Sequence, residues 1–364
     1  MKKILSLLLV TALIMTSLAG CGSKAPEKSA KDSKALKVEC LLNGNLGDKS
    51  FFDSANNGMK LIKEQLGCET KVVEMGFDNT VWESDLYEAC ESDYDVIIVG
   101  TYQMQELLQK VAPEYPDKKF IIFDSEVKAD NVYSITFKQN EMMYLAGALA
   151  ATLAQDKEKT NGSGVISAVS AMDIPVLNDF LVGYIQGATE TVPGTKVITS
   201  TIGDFSDTAR AKELATAQIN AGSAVVFHCA AQAGLGVIDA CKDKNTLAIG
   251  VDADQAMALQ KDDPKASKII VTSAMKNIDQ VLLRAIKKHM DGTLPYGKTE
   301  ALGMADNAVS LADNEVFRSI VPKETIDMMA GLEKKIQSGD IKVKSAFDMS
   351  TKEIADLKAS VALQ

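Results

Sequence analysis

Five loop segments carry the residues best suited to holding a small molecule. The first, Asn43 to Asp53, reads NGNLGDKSFFD and sets two adjacent phenylalanines, Phe51 and Phe52, beside the carboxylate of Asp53. Only 5% of the chain is aromatic, so a ring pair in a glycine-punctuated loop stands out. A second stretch, Gly203-Asp204-Phe205-Ser206-Asp207, repeats the combination of glycine, acid and phenylalanine. Flat rings approaching from two sides favour a planar guest such as a base or an indole-like ring, at about 1–3 kcal/mol per stacked ring. The other three loops supply charge: Asp124 after Phe123, Asp252 and Asp254 in the stretch 250–255, and Lys276 in the stretch 272–277. A carboxylate accepts two hydroxyl hydrogen bonds at once, which suits a vicinal diol, and a lysine donates to the same oxygens.

Each of these types also has a structural use. Phenylalanines before a helix pack under the loop as a hydrophobic staple, and an acid after a strand caps the next helix. Trp82 and Tyr102 read as structural aromatics. Other chemistries find little support. There is no G-x-S-x-G elbow and no H-E-x-x-H pair, and the chain has two histidines. His228 and Cys229 are neighbours on a strand-like segment, where adjacent side chains point to opposite faces, a poor geometry for a thiol–imidazole pair. No C-x-x-C or C-x-x-H spacing suggests zinc. We therefore expect no catalytic residue, no metal and no cofactor. Cys40, Cys68, Cys90, Cys229 and Cys241 read as buried free thiols.

What positions these loops is an α/β alternation. Strand candidates are Leu36–Leu42, Thr70–Met75, Val96–Val99, Phe120–Phe123 and Val132–Phe137, then Val165–Val169, Lys196–Ile202, Ala224–Phe227 and Leu247–Val251. Helical patterns lie between them: Ser54–Leu66 puts Ala55, Met59, Ile62 and Leu66 on one face. Strands alternating with helices mean parallel sheets, and in open sheets ligands collect at the carboxyl ends of the strands, where the five loops fall. A further strand-like segment, Ile269–Ser273, the helical stretch Asn277–Met290 and a strand-like segment near Ala301–Met304 suggest that the chain passes three times between two lobes. The expected organisation is 36–136 with 272–300 as the first lobe and 137–271 with 301–364 as the second.

The N-terminus reads as an export signal, residues 1–20. Lys2 and Lys3 precede an apolar run, Ile4 to Met15, too short for a membrane span. Leu18-Ala19-Gly20-Cys21 looks like a lipobox, which would leave a lipidated Cys21 at the start of a polar tether, 21–35. Acyl chains at one terminus would hold the protein on the outer face of the cytoplasmic membrane. The formal charge of −10 argues against nucleic acid as a partner.

In this order the segments resemble the basic membrane protein family, the purine nucleoside receptor-like substrate-binding lipoproteins of ABC transporters. The matching elements are Gly47-Asp48-Lys49-Ser50-Phe51 with Asp53, Tyr115-Pro116-Asp117-Lys118-Lys119-Phe120 running into Asp124, and Asn131 to Phe137 with Gln139-Asn140-Glu141. Gly183-Tyr184, Gly234-Leu235-Gly236, Gly250-Val251-Asp252 with Asp254-Gln255, and Thr272-Ser273 with Lys276 continue the match to roughly residue 290. The resemblance implies a type I periplasmic-binding-protein fold, two doubly wound parallel-sheet lobes closing on a nucleoside, and a membrane permease as partner of a monomer. It implies that Phe51 and Phe205 stack on the base, Asp124 bonds its edge, and Asp252 and Lys276 hold the ribose, with Asp254 second to Asp252. Phe52 stands where family members commonly carry asparagine, at a position expected to touch ligand. A sugar-like or other small metabolite, and a sensing role instead of transport, are the alternative readings.

Overall fold

The computed structural model describes residues 35–363. The expected signal segment, Cys21 and the tether up to Lys34 lie outside the described residues. Two six-stranded sheets form the body. The first holds β1 (Lys37–Leu42), β2 (Glu69–Glu74), β3 (Val96–Gly100), β4 (Lys119–Phe123), β5 (Val132–Phe137) and β11 (Thr299–Leu302), in the order β11-β5-β4-β3-β1-β2. The second holds β6 (Val165–Ser170), β7 (Lys196–Thr201), β8 (Val225–Cys229), β9 (Leu247–Val251), β10 (Ile270–Lys276) and β12 (Val309–Leu311), in the order β12-β10-β9-β8-β6-β7. The orders coincide position for position, so β4 corresponds to β9 and β5 to β10. All pairings are parallel except β10 with β12. Interior strands such as β3 (VIIVG) and β8 (VVFHC) are buried along their whole length, as sheets covered on both faces require.

Pairing moves two of the expected crossings. The boundary at 271/272 falls inside β10, where Ser273 pairs with Gly250 and Lys276 with Val309, so the chain leaves the second sheet after Lys276. The boundary at 300/301 falls inside β11, which pairs with β5 through Leu302. In both cases an alanine-containing strand end carries no alternation to mark it. The first crossing follows β5 at Phe137, one residue past the expected end of the first lobe.

Close helix contacts explain several glycines. In the second lobe, helices Gln139–Ala154 and Pro175–Thr191 cross so tightly that a Cβ on Gly147 would lie 2.0 Å from the Tyr184 carbonyl oxygen. One on Gly187 would lie 1.9 Å from the Tyr144 oxygen. In the first lobe, helix Phe51–Leu66 packs on helix Ile278–Met290, where Gly58 would place a Cβ 3.0 Å from the Asp279 Cα. The five cysteines of the described residues are free and buried. Among the described residues no helix is long and apolar enough to cross a membrane.

Candidate functional site

Between the sheets, at the carboxyl ends of the strands, lies a cavity with about 620 Å³ of empty volume, part of it open to solvent. Of the expected site residues it is lined by Phe51, Phe52, Asp124, Phe205, Asp252 and Lys276. Asp53 is not among them. Its carboxylate accepts from the backbone N–H groups of Gly47 (2.9 Å) and Lys49 (3.0 Å), so it ties the loop instead of facing the cavity. Buried Asp48 takes the N–H groups of Ser50, Phe52 and Asp53 and so caps helix Phe51–Leu66.

Asp124 and Asp252 occupy equivalent places, each immediately after its strand, β4 and β9. Both hold φ of +62°, a left-handed backbone that non-glycine residues adopt at a cost. Thr101, immediately after β3, does the same at +71°. All three of these residues line the same cavity.

The lobes meet across this cavity. Lys276, at the end of β10 and 2% exposed, donates to Asp124 Oδ1 at 2.5 Å. Its ammonium also sits 5.0 Å from the Phe180 ring centre, 5.3 Å from Phe137 and 5.9 Å from Phe51. Ser50 Oγ donates to Asp252 Oδ2 at 2.8 Å. Burial pushes the Asp252 carboxyl up to about 7, against the pull of Lys276 and the Ser50 hydrogen bond and with the help of the nearby Asp124 and Asp48 charges. Asp254 is turned to other work: it accepts from Met257 N–H and takes Asn314 Nδ2 on both oxygens, at 2.9 and 3.0 Å.

The rings are only partly used as props. Phe51 stacks on Phe123 at 5.4 Å and meets Phe52 edge-on at the same distance. The Phe52 ring lies over Gly44, where a Cβ would come within 2.1 Å of it. Phe205 is half-buried on the opposite lobe. Tyr102, expected to be structural, lines the cavity and is 37% exposed, because it opens the turn after β3. Trp82 donates to Gly76 O at 3.0 Å and packs in the first lobe.

Sequence reasoning missed Asn43, Gln103, Phe77 and Phe180. Asn43, 1% exposed, donates to Thr101 Oγ1 and Gln103 Oε1, which leaves its own carbonyl oxygen buried without a partner. Asn43 follows β1 directly, so the strand-end rule that found Asp124 would have found it. Phe180 lies within a helix and gives no such signal. His228 is fully buried, with Nε2 3.0 Å from Gln255 Oε1, and burial pushes it down to about 4. Burial also pushes the Cys229 thiol up to about 12. A thiol held so far up is not the thiolate that nucleophilic chemistry needs, and an imidazole held so far down is a weak base.

Twin parallel sheets with their strand ends facing a shared cavity define a bilobed solute-binding protein of the type I periplasmic-binding fold. The family model for PnrA-like ABC transporter substrate-binding proteins (Bmp) matches residues 35–346, and the chain belongs to that family. It is 30% identical over 354 residues to the "ABC transporter nucleoside-binding protein BmpA" of Lactococcus lactis subsp. cremoris, covering 91% of this chain and 97% of that one. It is 29% identical over 388 residues to an uncharacterized lipoprotein of Pyrococcus abyssi, covering 95% and 93%. Among solved structures, an ABC transporter solute-binding protein from Aeropyrum pernix K1 superposes with a TM-score of 0.77 at 27% identity, over 90% of this chain and 100% of that one.

Proposed function

We propose that this substrate-binding protein captures a nucleoside, of the purine type, for an ABC importer, anchored outside the cell through a lipidated Cys21. Hinge closure brings the two lobes onto the ligand. The observation that carries the reading is the placement of aromatic rings and carboxylates from both lobes around one cavity, Phe51 and Asp124 from the first, Phe205 and Asp252 from the second. Phe51 and Phe205 take the faces of the base, Asp124 its edge, and Asp252 with Lys276 the ribose hydroxyls. The nucleoside-binding relative from Lactococcus supports the ligand class, and the lipoprotein from Pyrococcus the anchor. Mass spectrometry of the small molecule released on denaturing the purified protein tests the assignment. A purine nucleoside is expected; a sugar or an unrelated metabolite as the sole cargo would overturn it. That second outcome is favoured by Phe52, whose ring offers no hydrogen bond where it lines the cavity.

Phe205→Ala is expected to weaken nucleoside binding by about 2–3 kcal/mol in calorimetry, through lost stacking and apolar area. Unchanged affinity would remove Phe205 from the site. Binding is also expected to depend on pH. Asp252 is held near 7, and a ligand hydroxyl donating to it favours the ionised form, so below pH 7 binding expels a proton. Affinity then rises between about pH 6 and 8, by at most about tenfold per unit, and levels off above. A flat profile in the wild type, or one that persists in Asp252→Asn, would contradict this role.

A further inference from the structure

One stretch of the second lobe's cavity wall comes from Ile174, Val176, Leu177 and Phe180, at the start of helix Pro175–Thr191. That helix opens on a proline, whose fixed φ suits a first helical position, but no side chain at Ile174 caps it, so nothing at Ile174 ties the first turn to the loop before it. The C-terminal segment holds it from outside. Lys358, on helix Thr351–Val361, donates to Asn178 Oδ1 at 2.8 Å and lies 3.6 Å from Asp173 Oδ1. Asn178 Nδ2 donates to that same Asp173 oxygen at 2.8 Å. Three side chains thus join the turn leaving β6 to the first turns of the helix it feeds.

The rest of the segment is fastened to the same helix. Asp179, 1% exposed, accepts from Ser345 Oγ at 2.7 Å, Ala346 N–H at 2.8 Å and Gln139 Nε2 at 2.7 Å. Gln186 exchanges hydrogen bonds with the backbone of Lys342 and Lys344. Ile354 and Ala346 pack on Val182 in a small apolar cluster of their own. A capping box formed by Ser350 and Glu353 fixes where the last helix starts, beyond the residues matched by the family model. Neither Lys358 nor Ile354 lines the cavity.

We propose that the C-terminal helix positions the ligand cavity, with Lys358 the residue through which it fixes the wall formed by Ile174 to Phe180. The effect on binding rests on the cavity being the ligand site; the effect on the wall does not. Lys358 acts through Asn178 and Asp173, so removing its charge loosens the turn without touching ligand. Small displacements of a lining surface lower affinity because closure brings that surface onto the ligand.

The test compares Lys358→Met and Lys358→Arg, with Lys352→Met as a charge control. Lys352 pairs with Asp356 on the same helix, away from the wall. Amide hydrogen exchange over residues 173–180 is measured on ligand-free protein, together with dissociation of adenosine, guanosine or inosine. Lys358→Met is expected to speed exchange there about tenfold and dissociation about fivefold, as loss of one charged hydrogen bond allows. Lys358→Arg should restore both and Lys352→Met should change neither. Unchanged exchange, or faster exchange with wild-type dissociation, overturns the proposal. If the wild type binds no nucleoside, the nucleoside reading fails by itself and the exchange measurement still decides whether Lys358 fixes the wall.

Discussion

Lys276→Met is expected to lower ligand affinity by about two to three orders of magnitude while leaving both lobes folded. Methionine matches most of the lysine's length, so the three rings around the side chain keep their packing. What is lost is the ammonium that joins the second lobe to Asp124 in the first. Asp124 is 12% exposed at its side chain, and a carboxylate left there with no cation costs about 3–5 kcal/mol. That penalty falls on the closed arrangement alone, because opening returns the carboxylate to water. It therefore appears as weaker binding and, in small-angle scattering, as a larger fraction of open molecules. Wild-type affinity in this variant would show that the bond between Lys276 and Asp124 does not hold the lobes together.

Gly187→Val is expected to produce the largest loss of stability, about 4 kcal/mol or more, with a fall in Tm of roughly 10 °C. The contact it breaks is backbone against backbone. The added Cβ would come 1.9 Å from the Tyr144 carbonyl oxygen and 2.6 Å from its carbon, and neither atom can move without shifting helix Gln139–Ala154. Gly147 makes the reciprocal approach, to the Tyr184 carbonyl oxygen, and Gly183 a parallel one, to that of Asn140. Helices that pack this closely have no space for a branched side chain between them. Gly331 supplies the contrast, since a Cβ there meets nothing within 4 Å in helix Lys323–Gln337. Gly331→Ala should raise stability, by up to about 1 kcal/mol, through helix propensity alone. Equal Tm values for Gly187→Val and wild type would mean that the two helices are not packed as described.

The twin-lobe architecture and six of the residues that line the cavity were legible in the chain, and the reasons for the misses are specific. Continuous apolar runs such as Val96–Val99 and Phe120–Phe123 announce buried parallel strands, and the residues that follow them are where ligands meet such sheets. Residue type alone did not separate the acids in those positions. Asp48, Asp53 and Asp254 satisfy backbone or amide N–H groups, whereas Asp124 and Asp252 face the cavity on left-handed backbone. Both uses demand the same carboxylate, and backbone dihedrals leave no mark in the alphabet of side chains. The crossing after Lys276 was misplaced because Ala274 to Lys276 lacks alternation and its pairing partner, β12, is three residues long. Tyr102 and Phe180 reach the cavity from a short turn and from within a helix, so neither sits where a strand-end rule looks.

A crystal structure of the purified protein with its cargo retained bears most directly on how the molecule works. The account requires a planar ring held between Phe51 and Phe205, with hydroxyl groups within hydrogen-bonding distance of Asp252 and Lys276. Cargo seated elsewhere, or seated in this cavity with Phe205 turned away into the second lobe, would contradict it.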